Sequence, residues 1–171
     1  MMKIVLTVTG CILLLIPCVV VIGLLLPKAH TVSRAAGYNT TPDKLFTLIA
    51  GPQNWRPDVV RYEVVPNSTG RELTQETTRS GETVTYELLD RKPPESIKRR
   101  IATPNLPYAG TWSYSLQSHA GGTIVRITEN GVVYNPVFRF VSRFIVGHTS
   151  TMDAYLRALG RATGQQVQIT D

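Results

Sequence analysis

Polar and apolar positions follow three different patterns along the chain. Residues 4–26 carry no charged side chain at all. Between residues 61 and 132, apolar and polar residues alternate with a period of two, which is typical of strands with one buried face. From Asn135 onward, apolar residues recur at intervals of three and four, which is the pattern of an amphipathic helix. The chain therefore divides into an apolar N-terminal run, a strand-rich middle and a helical end.

The apolar run of residues 4–26 is long enough to cross a bilayer. Its 23 residues would span roughly 34 Å as a helix, which is about the thickness of one hydrocarbon core. The alternative is a cleaved signal peptide, but the apolar part of such a peptide covers only about 7–15 residues. We therefore expect residues 1–28 to form a retained, single-pass membrane anchor. Lys3 lies on one side of the run and Lys28 and Arg34 lie on the other, so positive charge favours neither orientation.

The chain after this run begins with a strand and a helix. Residues 30–38 have the Thr, Val and Tyr content of a first strand. The sequence Thr41-Pro42-Asp43 predicts a helix start, because Thr caps helices, Pro suits the first helical position and Asp suits the first turn. The helix should end at Gly51-Pro52, and residues 54–60 should form a second short helix or a structured turn.

Six further strands follow, and the links between them are short and rich in Gly, Pro, Asn and Ser. Links of this kind join neighbouring antiparallel strands, so the six strands should form a meander. The predicted strands cover residues 61–66, 71–79, 83–89, 96–103, 111–118 and 123–132.

The pattern from Asn135 predicts one helix of about 25 residues. Asn135 can cap this helix and Pro136 suits its first position. Gly160 and Gly164 mark its end, and residues 165–171 form a tail. Its apolar side comprises Val137, Val141, Phe144, His148, Met152, Tyr155 and Leu159.

The order of these elements predicts an α+β fold. Seven antiparallel strands cannot bury their apolar face alone, so the long helix must cover the concave side of the sheet. The curvature of a sheet and the diameter of a helix rarely match, and the space left between them is a natural ligand cavity.

Three segments resemble the START and birch-pollen-allergen-like superfamily of helix-grip proteins, and within it the polyketide cyclase/dehydrase-like (SRPBCC) group. They are TTPDKLFTLIAGPQNWRPDV at residues 40–59, GTWSYSL at 110–116 and GGTIVRITENGVVYNPVFRF at 121–140. The resemblance implies a helix-grip domain over residues 29–164, with a curved seven-stranded sheet around a long C-terminal helix. Members of this superfamily bind or carry lipids, sterols and polyketides, and some are cyclases, so it also implies a hydrophobic ligand. No catalytic motif defines the group, and no catalytic residue is implied.

Glu129, at the end of the last strand, is the first candidate for a polar group in the cavity. It shares a face with Val125 and Ile127 and should point inward if they do. An inward carboxylate needs a partner, and Arg99 is the obvious candidate. Alternatively, Glu129 leaves the sheet at its edge and faces water.

His148 lies on the apolar side of the long helix, where it is either a hydrogen-bonded core residue or a polar group that orients a ligand. His30 at the membrane junction and His119 in a turn offer it no partner, and both cysteines lie in the apolar run. We therefore expect no metal and no other cofactor. Residues 104–110 are a candidate lid over the cavity. The candidate cavity residues are Tyr86, Arg99, Tyr108, Trp112, Tyr114, Glu129, His148, Met152 and Tyr155.

Charge changes this picture only slightly. Beyond residue 28 there are 16 Lys and Arg residues against 12 Asp and Glu, and five of the basic residues lie in residues 91–100. That cluster is either a solvated surface or a contact for anionic lipid headgroups. Because the chain has no nucleic-acid recognition motif, nucleic acid is not an expected partner.

The sequence leaves three functions open. The first is a membrane-anchored domain that binds or carries a lipid-like or polyketide-like molecule. The second is a cyclase- or dehydratase-type enzyme in which Glu129, His148 or a tyrosine acts as acid or base. The third is a non-catalytic scaffold that contacts a membrane surface or a partner through residues 98–100.

Overall fold

The computed structural model describes residues 16–68 and 70–171, which contain an eight-stranded antiparallel sheet. The strands are β1 (Ala29–Tyr38), β2 (Val59–Val65), β3 (Leu73–Thr78), β4 (Thr83–Lys92), β5 (Ser96–Ile101), β6 (Tyr108–His119), β7 (Gly122–Val133) and β8 (Ile169–Thr170). The helices are α1 (Pro42–Ala50), α2 (Pro136–Val141) and α3 (Ser150–Ala162), with a 3-10 turn at Gln53–Trp55 and a π-helical turn at Ser142–Val146.

The strand order is β2-β3-β4-β5-β6-β7-β1-β8, so the predicted meander of six strands is confirmed. The prediction of seven strands is wrong, because part of the predicted tail forms β8, where Ile169 pairs with Ala36 of β1. Ile169 packs against the core, and Gln165 donates a hydrogen bond from Nε2 to the Thr40 hydroxyl at 2.8 Å. A two-residue strand has no period of its own, so the alternation of the sequence does not reveal it.

The predicted long C-terminal helix is also wrong as a single element. Asn135 caps α2 as expected, because its side chain accepts hydrogen bonds from the backbone N–H groups of Val137 and Phe138. The helical path then passes through the π-helical turn and ends at Gly147, whose φ of 79° and ψ of 146° are not helical. The helix resumes at α3. The break turns Phe144 outward, to 59 % exposure, whereas Met152 is fully buried.

The core lies between the inner face of the sheet and the two helices α1 and α3. Leu45 and Ile49 of α1 and Leu156 of α3 are fully buried there. Tyr38 of β1 donates its hydroxyl to the carbonyl oxygen of Leu156 at 2.8 Å, which ties the sheet to α3. Burial raises the pKa of the Tyr38 phenol, so this hydroxyl stays a donor.

Among the described residues, no helix combines the length and hydropathy that a membrane crossing requires. Residues 4–15 of the predicted anchor lie outside the described residues. Residues 16–25 are helical, and their end packs on α2. A Cβ at Gly23 would lie only 2.0 Å from the carbonyl oxygen of Pro136, and Arg139 donates a hydrogen bond from Nη1 to the carbonyl oxygen of Leu26 at 2.9 Å.

Candidate functional site

A cavity of about 360 Å³ lies between the inner face of the sheet and the α2–α3 connection. Its volume falls in the range of roughly 300–1,000 Å³ that small-molecule sites occupy. Strands β3 to β7 supply one wall, with Tyr86, Trp112 and Tyr114 as its aromatic side chains, and Val146 and His148 lie on the opposite wall.

Glu129 of β7 points into this cavity, on the same face of the strand as Val125 and Ile127. Its Oε2 accepts a hydrogen bond from Trp112 Nε1 at 2.6 Å, and its Oε1 lies 3.0 Å from His30 Nε2. The His30 ring stacks on the His148 ring with 4.1 Å between centroids. We call these four residues, Trp112, Glu129, His30 and His148, the carboxylate cluster.

The pairing of β1, β7 and β6 builds this cluster. Glu129 pairs with Trp112 on one side and with Val32 on the other, and Gly131 pairs with His30. A Cβ at Gly131 would lie 2.4 Å from two atoms of the His30 ring, so only glycine leaves room for the histidine to reach the carboxylate.

The predicted pairing of Glu129 with Arg99 is wrong. Trp112 lies between them in the sheet, because Arg99 pairs with Trp112 and Trp112 pairs with Glu129. Arg99 does point inward, but its Nη2 donates to the carbonyl oxygen of Ile49 at the end of α1, at 2.9 Å. The guanidinium thus satisfies carbonyl groups that the last turn of a helix leaves without partners.

His148 lies in the connection before α3 and not on a helix. The expectation that His30 offers it no partner is also wrong, since the two rings stack. Burial and the neighbouring His30 lower the pKa of His148, although Glu129 opposes this shift. In the part of the chain that the structure describes, no group of three His, Cys, Asp or Glu side chains is arranged to hold a metal ion.

A second polar group lies at the other side of Trp112. Arg56 Nη1 donates to Glu76 Oε2 at 2.7 Å, and the Arg56 guanidinium lies over the Tyr155 ring at 5.3 Å from its centroid. Burial raises the pKa of Glu76, and burial raises the pKa of Tyr114 to about 12. The cavity therefore combines aromatic walls with fixed charges, which suits an amphipathic molecule better than a wholly apolar one.

Seven of the nine candidate cavity residues line the cavity. These are Tyr86, Arg99, Tyr108, Trp112, Tyr114, Glu129 and His148. Met152 and Tyr155 belong instead to the buried core cluster, and Tyr155 donates its hydroxyl to Gln53 Oε1 at 3.2 Å. A role of any of these residues in ligand binding stays a prediction.

The candidate lid contributes only its end to the cavity. Of residues 104–110, Tyr108, Ala109 and Gly110 are lining residues. The Tyr108 hydroxyl donates to Glu82 in the β3–β4 link, which connects two segments at the rim of the cavity.

The basic cluster of residues 91–100 is not an open positive surface. Arg91 pairs with Glu72 and Arg100 pairs with Glu87, each at 2.6 Å, and Arg99 is buried. This arrangement leaves little unneutralised charge for headgroups and weakens the scaffold hypothesis based on residues 98–100.

Residues 29–162 match the protein family described as "Polyketide cyclase / dehydrase and lipid transport". The chain belongs to this family. No curated protein matches the chain.

Solved structures similar to the chain share the fold of this family at low sequence identity. Norcoclaurine synthase from Thalictrum flavum is 10 % identical, with a TM-score of 0.61 over 81 % of this chain and 88 % of that chain. Protein MLL2253 from Mesorhizobium loti is 14 % identical, with a TM-score of 0.60 over 79 % and 97 %. The di-domain ARO/CYC StfQ from the steffimycin biosynthetic pathway is 15 % identical, with a TM-score of 0.58 over 77 % and 50 %. The resemblance to helix-grip proteins and to the polyketide cyclase/dehydrase-like group is confirmed.

Several polar residues that line this family member's cavity are absent from the candidates drawn from sequence, among them His30, Arg56 and Glu76. His30 shares a strand face with Val32, Ala36 and Tyr38, so alternation along β1 is a signal that points it inward. The meeting of His30 with Glu129 follows from the pairing of the first strand with the seventh, and no local pattern encodes that pairing.

Proposed function

We propose that the chain is a membrane-tethered domain that binds or carries a hydrophobic or amphipathic small molecule in the cavity beside Trp112. The cavity of about 360 Å³, with aromatic walls and a fixed carboxylate, is the observation that carries this proposal. Membership of a family described by cyclisation, dehydration and lipid transport supports the class of ligand. The uncharged run of residues 4–26 supports the tether.

The polar groups of the cavity narrow the ligand class. Glu129 carries a negative charge that Trp112 and His30 hold in place, and a ligand hydroxyl or other hydrogen-bond donor would complement it. We therefore expect an amphipathic ligand whose polar end donates hydrogen bonds and whose apolar part contacts Tyr86 and Tyr114. An acidic head group would be repelled by Glu129 and would have to lie near Arg56 or Arg99 instead.

Native mass spectrometry of the full chain, released from a mild detergent, tests this proposal. We expect a bound mass, or uptake of a saturated fatty acid or an isoprenoid alcohol. Val84 lines the cavity, so Val84→Phe should reduce that bound fraction several-fold by filling space. Val64→Phe is the matched control, because Val64 is 67 % exposed and lies away from the cavity. A chain that shows only its own mass and takes up neither probe contradicts the proposal.

A second candidate function is a cyclase- or dehydratase-type reaction in the same cavity. The observation that favours it is the contact between His30 Nε2 and Glu129 Oε1, since such a pair can accept and return a proton at a bound substrate. Glu129→Gln keeps an acceptor for Trp112 but removes the negative charge. An altered lipid or polyketide profile in cells that carry this variant, with ligand binding retained, would favour the enzyme over the carrier.

A further inference from the structure

Five large apolar side chains are exposed on α2 and on the connection that follows it. We call this set the apolar ledge, and its members are Val137, Phe138, Phe144, Ile145 and Val146. Ile145 is 71 % exposed, which is more than Val64 on the sheet. The ledge comes from one short segment, and Phe144 is held in place by its contact with Phe140 at 5.0 Å between ring centroids. A large apolar patch of this kind marks a surface that is covered in the working protein.

The ledge also borders the cavity. Phe138 and Val146 belong to the ledge and line the cavity, and Ser142 and Gly147 between and beside them are lining residues too. The same short segment therefore faces the cavity on one side and is exposed on the other. Whatever covers the ledge therefore lies next to the cavity.

The position of the N-terminal helical segment indicates what covers the ledge. Its end is fixed on α2 by the contacts of Gly23 with Pro136 and of Leu26 with Arg139. Leu25, just before this end, is 82 % exposed. The uncharged run therefore ends on α2, at the same end of the domain as the ledge. A bilayer that holds the run is placed beside the ledge.

Charge at this end agrees with a lipid surface. Arg143 lies within the π-helical turn and is exposed, as is Lys28 at the end of the apolar run. Tyr134, just before α2, is 55 % exposed. Exposed Phe and Ile side chains flanked by basic residues and a tyrosine are the composition of protein surfaces that lie at the headgroup level of membranes.

We propose that the apolar ledge docks on a lipid bilayer, so that the cavity opens at headgroup level and exchanges its ligand directly with the membrane. The exchange rests on the ligand binding in the proposed function, and the docking rests on its membrane tether alone. The docking places Phe144 and Ile145 among the upper parts of the acyl chains, and it leaves the sheet in water.

Spin labels on the full chain test the docking. The label is attached at Ile145→Cys, or at Val64→Cys as the matched control, in a chain that also carries Cys11→Ala and Cys18→Ala. The chain is reconstituted in vesicles of phosphatidylcholine with phosphatidylglycerol. We expect the Ile145 label to collide with oxygen and to be shielded from a water-soluble nickel chelate, and the Val64 label to show the reverse.

Two results would overturn the docking. Equal access of the nickel chelate to both labels would mean that the ledge faces water. Low access of both oxygen and the nickel chelate to the Ile145 label would mean that protein, such as residues 1–15 or a second copy of the chain, covers the ledge.

The transfer of a fluorescent isoprenoid alcohol from vesicles to the full chain tests the exchange. Phe144 and Ile145 do not line the cavity, so the double variant Phe144→Ser with Ile145→Ser should take up the probe several-fold more slowly, yet reach the same final occupancy. The double variant Val60→Ser with Val64→Ser is the control and should match the unaltered chain. An unchanged rate overturns the exchange, and so does a chain that takes up no probe. If native mass spectrometry of the chain also shows only its own mass and no uptake of either probe, the proposed function is overturned as well. The spin-label result tests the docking in either case.

Discussion

The Glu129 carboxylate is held by two donors that lie on different strands. Trp112 Nε1 lies 2.6 Å from one oxygen and His30 Nε2 lies 3.0 Å from the other. Hydrogen bonds to a carboxylate are stronger than neutral ones and fix the position of the charge. Three strands of the sheet must keep their register for these contacts to form. A change in the geometry of this part of the cavity would therefore break them.

Gly131→Ala should disturb this cluster. The new Cβ would overlap the His30 ring and approach Glu129 Oε1, so His30 has to move away. We expect a loss of about 1–3 kcal/mol in the free energy of unfolding, measured by denaturant titration. Gly37→Ala on β1 is the control, because a Cβ there meets no atom within 4 Å. Equal, small effects at both glycines would contradict the contact of His30 with Glu129.

His148 should make stability depend on pH. Its pKa is lower in the folded protein than the ordinary value of about 6.5, because of burial and the neighbouring His30. The unfolded chain therefore binds the proton more readily, so this contribution to stability is complete above about pH 6.5 and is lost as the pH falls below it. His148→Gln should reduce the fall in melting temperature on acidification, and Glu129 and Arg143 remain in place as the other charges that act on His148. A variant with an unchanged pH profile would contradict this role of His148.

At the scale of elements, the break between α2 and α3 shapes one wall of the cavity. A continuous helix would carry Phe144 and His148 on the same apolar side as Met152. The π-helical turn and Gly147 separate them instead, so that Phe144 is exposed while His148 reaches His30. π-Helical turns are rare in proteins as a whole, but those that occur are often found at functional sites.

Gly147→Ala tests the break. At φ of 79° and ψ of 146° a side chain is strained, although a Cβ would meet no atom within 4 Å. We expect a cost of about 1–3 kcal/mol in the free energy of unfolding, which comes from the backbone alone. Thermal unfolding monitored by circular dichroism measures it. A variant as stable as the unaltered chain would mean that the helix continues through Gly147.

The elements differ in how far the sequence predicts them. The meander follows from alternation and short links, and the capping of α2 by Asn135 follows from its side chain and the adjacent Pro136. The break at Gly147 does not follow from the sequence, because a single glycine is tolerated in many helices and the spacing of apolar residues continues across it. β8 and the pairing of His30 with Glu129 depend on contacts between distant parts of the chain, which a local pattern does not contain.

At the scale of the whole molecule, the cavity, the apolar ledge and the N-terminal helical segment lie close together. The sheet and α3 form the core, and the cavity lies where the α2–α3 connection departs from it. The apolar ledge and the end of the N-terminal helical segment meet on α2, beside the cavity. This arrangement suits a domain that receives its ligand from the bilayer to which it is tethered.

The central claim is that a ligand binds beside Trp112, and the two tryptophans of the chain test it together. Trp112 lines the cavity, whereas Trp55 does not line it and donates its Nε1–H to the carbonyl oxygen of Leu48 at 3.0 Å. The full chain is labelled with 5-fluorotryptophan, placed in lipid nanodiscs and titrated with an isoprenoid alcohol, and the resonances are assigned with Trp55→Phe. The account predicts that the fluorine resonance of Trp112 shifts and saturates while that of Trp55 stays in place. A Trp112 resonance that does not move, or that moves only together with Trp55, would contradict the account.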